Sequence, residues 1–368
     1  MRQTANHQHP TRSCIMPERA VDGVALPGLR PAAASGSPME ISWRAALAPL
    51  ARPRLSRSLI DVATSVFAYL VLVVAMYFLL DVSYWLVLAA SVPAAGFLVR
   101  TYIVFHDCAH GSFLPWRKAN EWLGAACGLL VFTPFQRWRF QHAGHHATSG
   151  DLDRRGVGDV LTLTVAEYQA LSLRGRLGYR LLRNPVVMFG VGPLWAMIIA
   201  PRHASRSERP RSRRSVRRTN LALALAIGVL CWLLGWERFL LVQMPSALLA
   251  GSVGIWLFYV QHQFEDAYWQ NSDAWNYDQA ALKGSSYLKL PKPLQFFTGN
   301  IGLHHVHHLS TKIPNYNLQR AHDTYPAFQQ VPTLSLWQGM RCVKLKLWDD
   351  KTQRLVTFRQ ARASQHAT

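Results

Sequence analysis

"LIDVATSVFAYLVLVVAMYFLL", residues 59–80, is separated only by Asp81 from "VSYWLVLAASVPAAGFLVRTYIVF", residues 82–105. A helix needs about 20 residues to cross the hydrocarbon core of a bilayer. Both runs reach that length, so together they are expected to form a transmembrane hairpin. Further along, "NLALALAIGVLCWLLGW" (220–236) and "FLLVQMPSALLAGSVGIWLFYV" (239–260) repeat the arrangement. Two other apolar runs, "EWLGAACGLLVFTPF" (121–135) and "VVMFGVGPLWAMIIA" (186–200), are short for a span and suit interfacial or re-entrant segments. The expected fold is therefore an all-α integral membrane protein, with four spans in two hairpins and a helical cap outside the membrane.

Half the residues are hydrophobic and only 16% are charged, yet the net charge is +20. The basic residues flank the apolar runs. Four arginines lie in "RAALAPLARPRLSR" (44–57), and eight with a single glutamate lie in "PRHASRSERPRSRRSVRR" (201–218). Loops of this kind stay on the cytoplasmic side. Both termini and the 106–218 and 261–368 regions are then cytoplasmic, in a multi-pass protein of the cell inner membrane. The same rule accounts for the charge better than nucleic acid does, and no zinc-finger or RNA-binding motif is present. The cysteines Cys14, Cys108, Cys127, Cys231 and Cys342 are odd in number and form no CxxC pair. That argues against a disulfide framework or thiolate zinc and fits a reducing compartment. The first 57 residues contain no signal-peptide core and are expected to be mostly a disordered cytoplasmic tail. Residues 58–350 are expected to form the main domain and 351–368 a C-terminal tail.

Ten of the fifteen histidines fall in four places: His106 and His110; His142, His145 and His146; His262; and His304, His305, His307 and His308. All four places lie on the side that hydropathy and arginines assign to the cytoplasm. Residues three and four apart share a helix face. The first group is an i, i+4 pair, and "HAGHH" and "HHVHH" each relate one histidine to partners at i+3 and i+4. His305 lies about 100° around a helix from His304 and is expected in a supporting or alternate-ligand role. His203, His322 and His366 are isolated and read as surface residues. Imidazole suits iron, zinc, copper and nickel. Eight or nine histidines are too many for one metal and point to two. An all-histidine pair at a membrane face suggests redox-active iron, since HExxH and its hydrolytic zinc chemistry are absent.

In this order, with two hairpins between and around them, "HDCAH", "HAGHH" and "HHVHH" resemble the three histidine boxes of membrane fatty acid desaturases. "HATSGDLDRRGVGDV" (146–160), "FYVQHQFEDAYW" (258–269) and "TGNIGLHHVHHLSTKIPNYNL" (298–318) are similar to the bacterial acyl-lipid branch, which includes Δ12- and Δ5-type enzymes. The resemblance covers about residues 60–350. It implies a diiron site with His106, His110, His142, His145, His146, His304, His307 and His308 as ligands and His262 as the extra one after the last span. Stearoyl-type members place a water-linked asparagine one turn before that extra histidine. Phe258 stands there in this chain, so that feature does not transfer. Their first box is also one residue longer.

The chemistry agrees with the resemblance. An unactivated methylene C–H carries no acidic proton, so acid–base groups cannot break it, whereas iron with O2 can. The substrate supplies two of the four electrons that reduce O2 to water, and a donor must supply the rest. No dinucleotide fingerprint or iron–sulfur cysteine pattern is present. The donor is thus expected to be a separate protein of ferredoxin or flavodoxin type, steered electrostatically to the basic face. The arginines of 202–218 equally suit topology or anionic headgroups. Among nearby acids, Asp107 and Asp266 are favoured as partners for the outer N–H of ligating imidazoles. Asp151, Asp153, Asp159 and Glu265 are weighed with them, as surface charges or as such partners. Trp116, Trp138, Phe140, Tyr259 and Trp269 are candidates for an acyl tunnel or an interfacial belt. The substrate is then a fatty acyl chain on a lipid. The alternatives are a histidine-box hydroxylase or ketolase of alkanes, sterols or carotenoids, and a metal transporter. The last needs ionisable residues inside the spans, where only Asp61 and Arg100 occur, near the ends.

Overall fold

The structure is a computed structural model and describes residues 42–156 and 158–366. Four helices among the described residues are long and apolar enough to cross a membrane: α1 (Leu55–Leu80), α2 (Tyr84–His110) and, later in the chain, Pro210–Leu234 and Trp236–His262. Shorter elements lie between the two pairs: α3 (Arg117–Leu130), α4 (Phe135–Thr148) and α5 (Leu173–Leu182). In chain order Pro210–Leu234 is α6 and Trp236–His262 is α7. The cap continues with α8 (Tyr277–Lys283), α9 (His304–Leu309) and α10 (Asn315–Thr324).

These helices overrun the apolar windows. Hydropathy ends the second span at 105 and the fourth at 260, because polar side chains follow. The backbone nevertheless stays helical through His106, His110 and His262. The histidines therefore ride on rigid extensions of long helices. Gly111 then stops α2: at φ 62° it takes the left-handed cap conformation that glycine adopts without steric cost. One π-helical turn, Ala63–Phe67, interrupts α1.

The core centres on α2, which packs against α1, α3 and α7. Phe105, Val87 and Met76 are fully buried there with Tyr259 and Val260 of α7. By contrast, only 11% of the apolar window of α6 is buried within the protein. Leu221, Leu225, Trp232 and Leu233 on α6, like Phe67 and Phe78 on α1, face outward. Apolar patches on this scale do not face water in a monomeric soluble protein.

The 186–200 run forms π and 3-10 turns over 187–202, meeting α5 at a 57° bend. It leans closely on α7 at Gly251, where a Cβ would come within 2.6 Å of Met197 Sδ and 2.8 Å of Pro193 Cβ. The all-α expectation is exceeded slightly by short strands. β1 (Leu163–Thr164) runs parallel to β4 (Leu347–Asp349), which pairs antiparallel with β5 (Arg354–Val356). β2 (Tyr287–Lys289) runs parallel to β3 (Thr333–Ser335). These pairs tie distant loops of the cap together and leave too little periodicity to read.

Both tail expectations change in part. Residues 1–41 lie outside the described residues. Residues 42–57 are anchored at a few points: Leu47 and Leu50 are buried and Trp43 stacks on Phe328 with ring centroids 5.0 Å apart. The 351–366 stretch holds β5 and a helix, Phe358–His366, against the cap. Apolar residues spaced singly through polar sequence were enough for both, and composition alone conceals them.

Candidate metal centre

All nine histidines converge in two groups. One comprises His106, His110, His142, His146 and His307, and the other His145, His262, His304 and His308. Within each group one nitrogen per ring lies within 4.8 Å of all the others. The boxes interleave instead of serving one metal each. The i, i+4 pairs His106/His110, His142/His146 and His304/His308 each stay in one group. The i+3 members, His145 and His307, cross to the other. Helix geometry accounts for this: i+3 and i+4 lie on opposite sides of i, about 100° apart. A single HxxHH turn therefore reaches two neighbouring centres.

Hydrogen bonds to the outer nitrogens set which way the lone pairs point. His145 Nδ1 donates to Asp159. His106 Nδ1 donates to Asp107 Oδ1 at 3.1 Å, and His262 Nδ1 to the Gly284 carbonyl at 3.1 Å. In the neutral ring that metal ligation requires, each of these bonds leaves Nε2 as a bare acceptor. His262 Nε2 nevertheless faces His145 Nε2 at 3.2 Å and His304 Nε2 at 3.0 Å. His142 and His307 face His146 Nε2 at 3.0 and 3.1 Å. His110 Nε2 and His308 Nε2 are buried with no hydrogen-bond partner. His145 and His262 both spend their Nδ1–H on outer partners, so their Nε2 lone pairs face each other in a buried pocket and repel unless a cation lies between them. With nitrogens gathered in two all-histidine groups, the donor set fits two metal ions. Burial, then mutual repulsion, holds His142, His146, His304, His307 and His308 well below the usual histidine value. This keeps them neutral, as ligation requires.

The supporting residues differ from the expectation. Asp107 does meet His106. Asp266 does not approach the histidines: its side chain is 67% exposed and pairs with Arg354 at 3.0 Å. Asp159 contacts a histidine instead, because the loop after α4 folds back over His145. Asp151 is occupied by Arg154 and Ser272. His305 joins neither group. It packs on His322 at 3.2 Å between ring nitrogens, and His322, read as a surface residue, is buried with it.

A buried chain behind His106 escaped the sequence reading. Asp107 Oδ2 accepts from the Asn315 backbone N–H at 2.7 Å and from its side chain at 3.1 Å. Asn315 also donates to Asp61 at 2.8 Å, and Asp61 pairs with Arg100. Asp61 and Arg100 passed as span-end charges, although two ionisable residues of opposite sign at similar depth on neighbouring spans are the signal of such a pair.

An apolar cavity of about 400 Å³ opens beside the first group. His106, His142 and His304 reach into it, and Trp138, Tyr102 and Phe258 are part of its wall. Of the five candidate tunnel aromatics only Trp138 lines it, stacked on His142 with centroids 4.3 Å apart. Trp116 and Phe140 are exposed, while Tyr259 and Trp269 are buried in the core.

Comparison with known proteins follows the same line. The family model "Fatty acid desaturase" matches residues 83–338. The chain is 46% identical over 313 residues to a fatty acid desaturase of Bacillus subtilis, covering 85% of this chain and 89% of that protein. It is 29% identical to the sn-1 acyl-lipid omega-3 desaturase (ferredoxin) of Synechocystis, over 60% of this chain and 62% of the relative. It is 27% identical to the sn-1 oleoyl-lipid 12-desaturase of the same organism, over 61% of this chain and 64% of that protein. With four span-length helices and a clustered set of box histidines, the chain belongs to the membrane fatty acid desaturase family and is an oxidoreductase acting as a fatty acid desaturase.

Proposed function

We propose that this desaturase inserts a cis double bond into an acyl chain carried on a membrane lipid, using O2, two iron ions and electrons from a separate carrier protein. The observation that carries this reading is the pair of interleaved, carboxylate-free histidine groups beside an apolar cavity. His106, His110, His142, His146 and His307 would hold one ion, and His145, His262, His304 and His308 the other. Bound iron supplies, from O2, the oxidising power that an unactivated C–H demands. The protein's part is positional. Trp138 and Tyr102 wall off water and press a chain against His106 and His142, while Asp107 and Asp159 fix the rings of His106 and His145. Outward-facing apolar side chains on α1 and α6 support two membrane hairpins, and the arginines at the start of α6 support a cytoplasmic site. The donor suits the ferredoxin type, as the Synechocystis relative's name carries it.

The test is His145→Ala in the full chain. Desaturation of host lipids, read by mass spectrometry of double bonds, should disappear while the protein stays in the membrane fraction with reduced iron. Wild-type double-bond yield from that variant, or only hydroxylated chains from the wild type, would overturn the reading.

A further inference from the structure

A second cavity, about 490 Å³, lies where the 187–202 segment meets the start of α6 and takes no part in the histidine site. Its walls include Arg202, Arg206, Arg213 and Arg217 together with His203 and Asn220, and no carboxylate. Arg213, Arg217 and Asn220 stand at i, i+4 and i+7 of α6 and so share one helix face. The acid nearest in sequence, Glu208, is engaged by Arg137 at 3.1 Å. Arg202 donates to the Phe132 carbonyl, but its Nε and Nη1 are buried without an acceptor. Guanidiniums crowded around one concavity repel each other, and buried donors without acceptors are costly. An anion with several oxygens relieves both.

The surroundings narrow the anion to an amphipathic one. Ala200 and Pro201 line the acyl cavity, and the next two residues, Arg202 and His203, line the basic one. The segment passes from apolar wall to cationic wall in one peptide step. Just beyond, α6 turns outward-facing apolar residues, Leu221 and Leu225, away from the protein. We infer that the basic pocket holds the phosphate of a glycerophospholipid whose acyl chain occupies the apolar cavity. The inference rests on the proposed acyl-lipid reading and adds where the headgroup is gripped.

Full-length protein in detergent is to be titrated with dipalmitoylphosphatidylglycerol and with dipalmitoylglycerol, which has the same chains and no phosphate. Wild type should bind the phospholipid roughly tenfold more tightly. The double variant R213Q/R217Q should lose that preference, and R214Q/R218Q, which removes the same charge outside the pocket, should keep it. In turnover on the phospholipid, R213Q/R217Q should raise KM with kcat and iron content held. Equal affinity of wild type for the two lipids, or equal loss in both double variants, overturns the inference. So does saturable binding of inorganic phosphate without phospholipid preference, which marks a free-anion site. A slower electron supply from an acidic carrier at unchanged lipid affinity overturns it in favour of a protein-docking surface. Binding through the pocket without any double-bond formation would instead remove the desaturation reading and leave the headgroup site standing.

Discussion

The second and third boxes divide their labour by side-chain direction. His304 and His308 serve one group and His307 the other, while His305 points away into a pocket with His322 and Phe328. Burial pushes His305 down to about 3, so it is a neutral packing residue. His305→Ala should therefore retain iron and lose thermal stability, whereas His304→Ala should lose iron. Metal analysis beside a melting curve separates the two, and equal iron loss in both would contradict the assignment. Asp159→Asn tests the ring-fixing carboxylates. The amide fills the same space and can still accept from the His145 N–H, but it lacks the carboxylate's negative charge, and outer partners of this kind are worth about 10- to 100-fold in metal affinity or activity. An iron titration showing wild-type affinity would refute that role. The histidines were legible because they are rare and crowded. Asp159 was not singled out from Asp151 and Asp153, because only the loop's return over α4 decides which carboxylate meets a ring.

Between elements, the buried ion pair Asp61–Arg100 joins α1 to α2, and Asn315 joins both to α10 behind the third box. The side chains are only 8% and 10% exposed. Removing one partner leaves the other charge uncompensated, which costs about 3–5 kcal/mol. Asp61→Ala should destabilise the protein by that order. Asp61→Ala/Arg100→Leu should recover a large part, read by thermal denaturation in detergent; a double variant no more stable than the single would show that the pair is not the cause. Helix existence was legible in all four span-length helices, since runs of apolar residues state it directly. Their ends were not. Polar residues at 106–110 and 261–262 look like loop by hydropathy, yet the helices continue through them, with His106, Asp107, Gln261 and His262 all hydrogen-bonded inside the protein.

For the whole molecule the charge state of the site sets a pH window. Five of the box histidines outside the four long helices, His142, His146, His304, His307 and His308, titrate well below 6.5 when folded. The unfolded chain binds protons near 6.5 and the folded one does not, so stability rises with pH there and falls as pH drops below that value. Metal-free protein should lose roughly 5 °C or more of its thermal midpoint between about pH 7.5 and about pH 5.5. Iron-loaded protein should hold its midpoint further down, until protons displace the metal. A metal-free midpoint that is flat over this range would show that the histidines are not buried neutral.

By itself the sequence determined that four helices are long and apolar enough to cross a membrane, and that the histidines belong together. Apolar run length and imidazole spacing are local properties that one stretch of chain carries whole. Only the tertiary structure decided which histidine joins which group, that Asp159 and not Asp266 supports the set, and that Asp61, Arg100 and Asn315 stand behind it. Those are meetings between residues tens to hundreds of positions apart, fixed by how α2, α4, α7 and α9 cross, and no local pattern encodes a crossing.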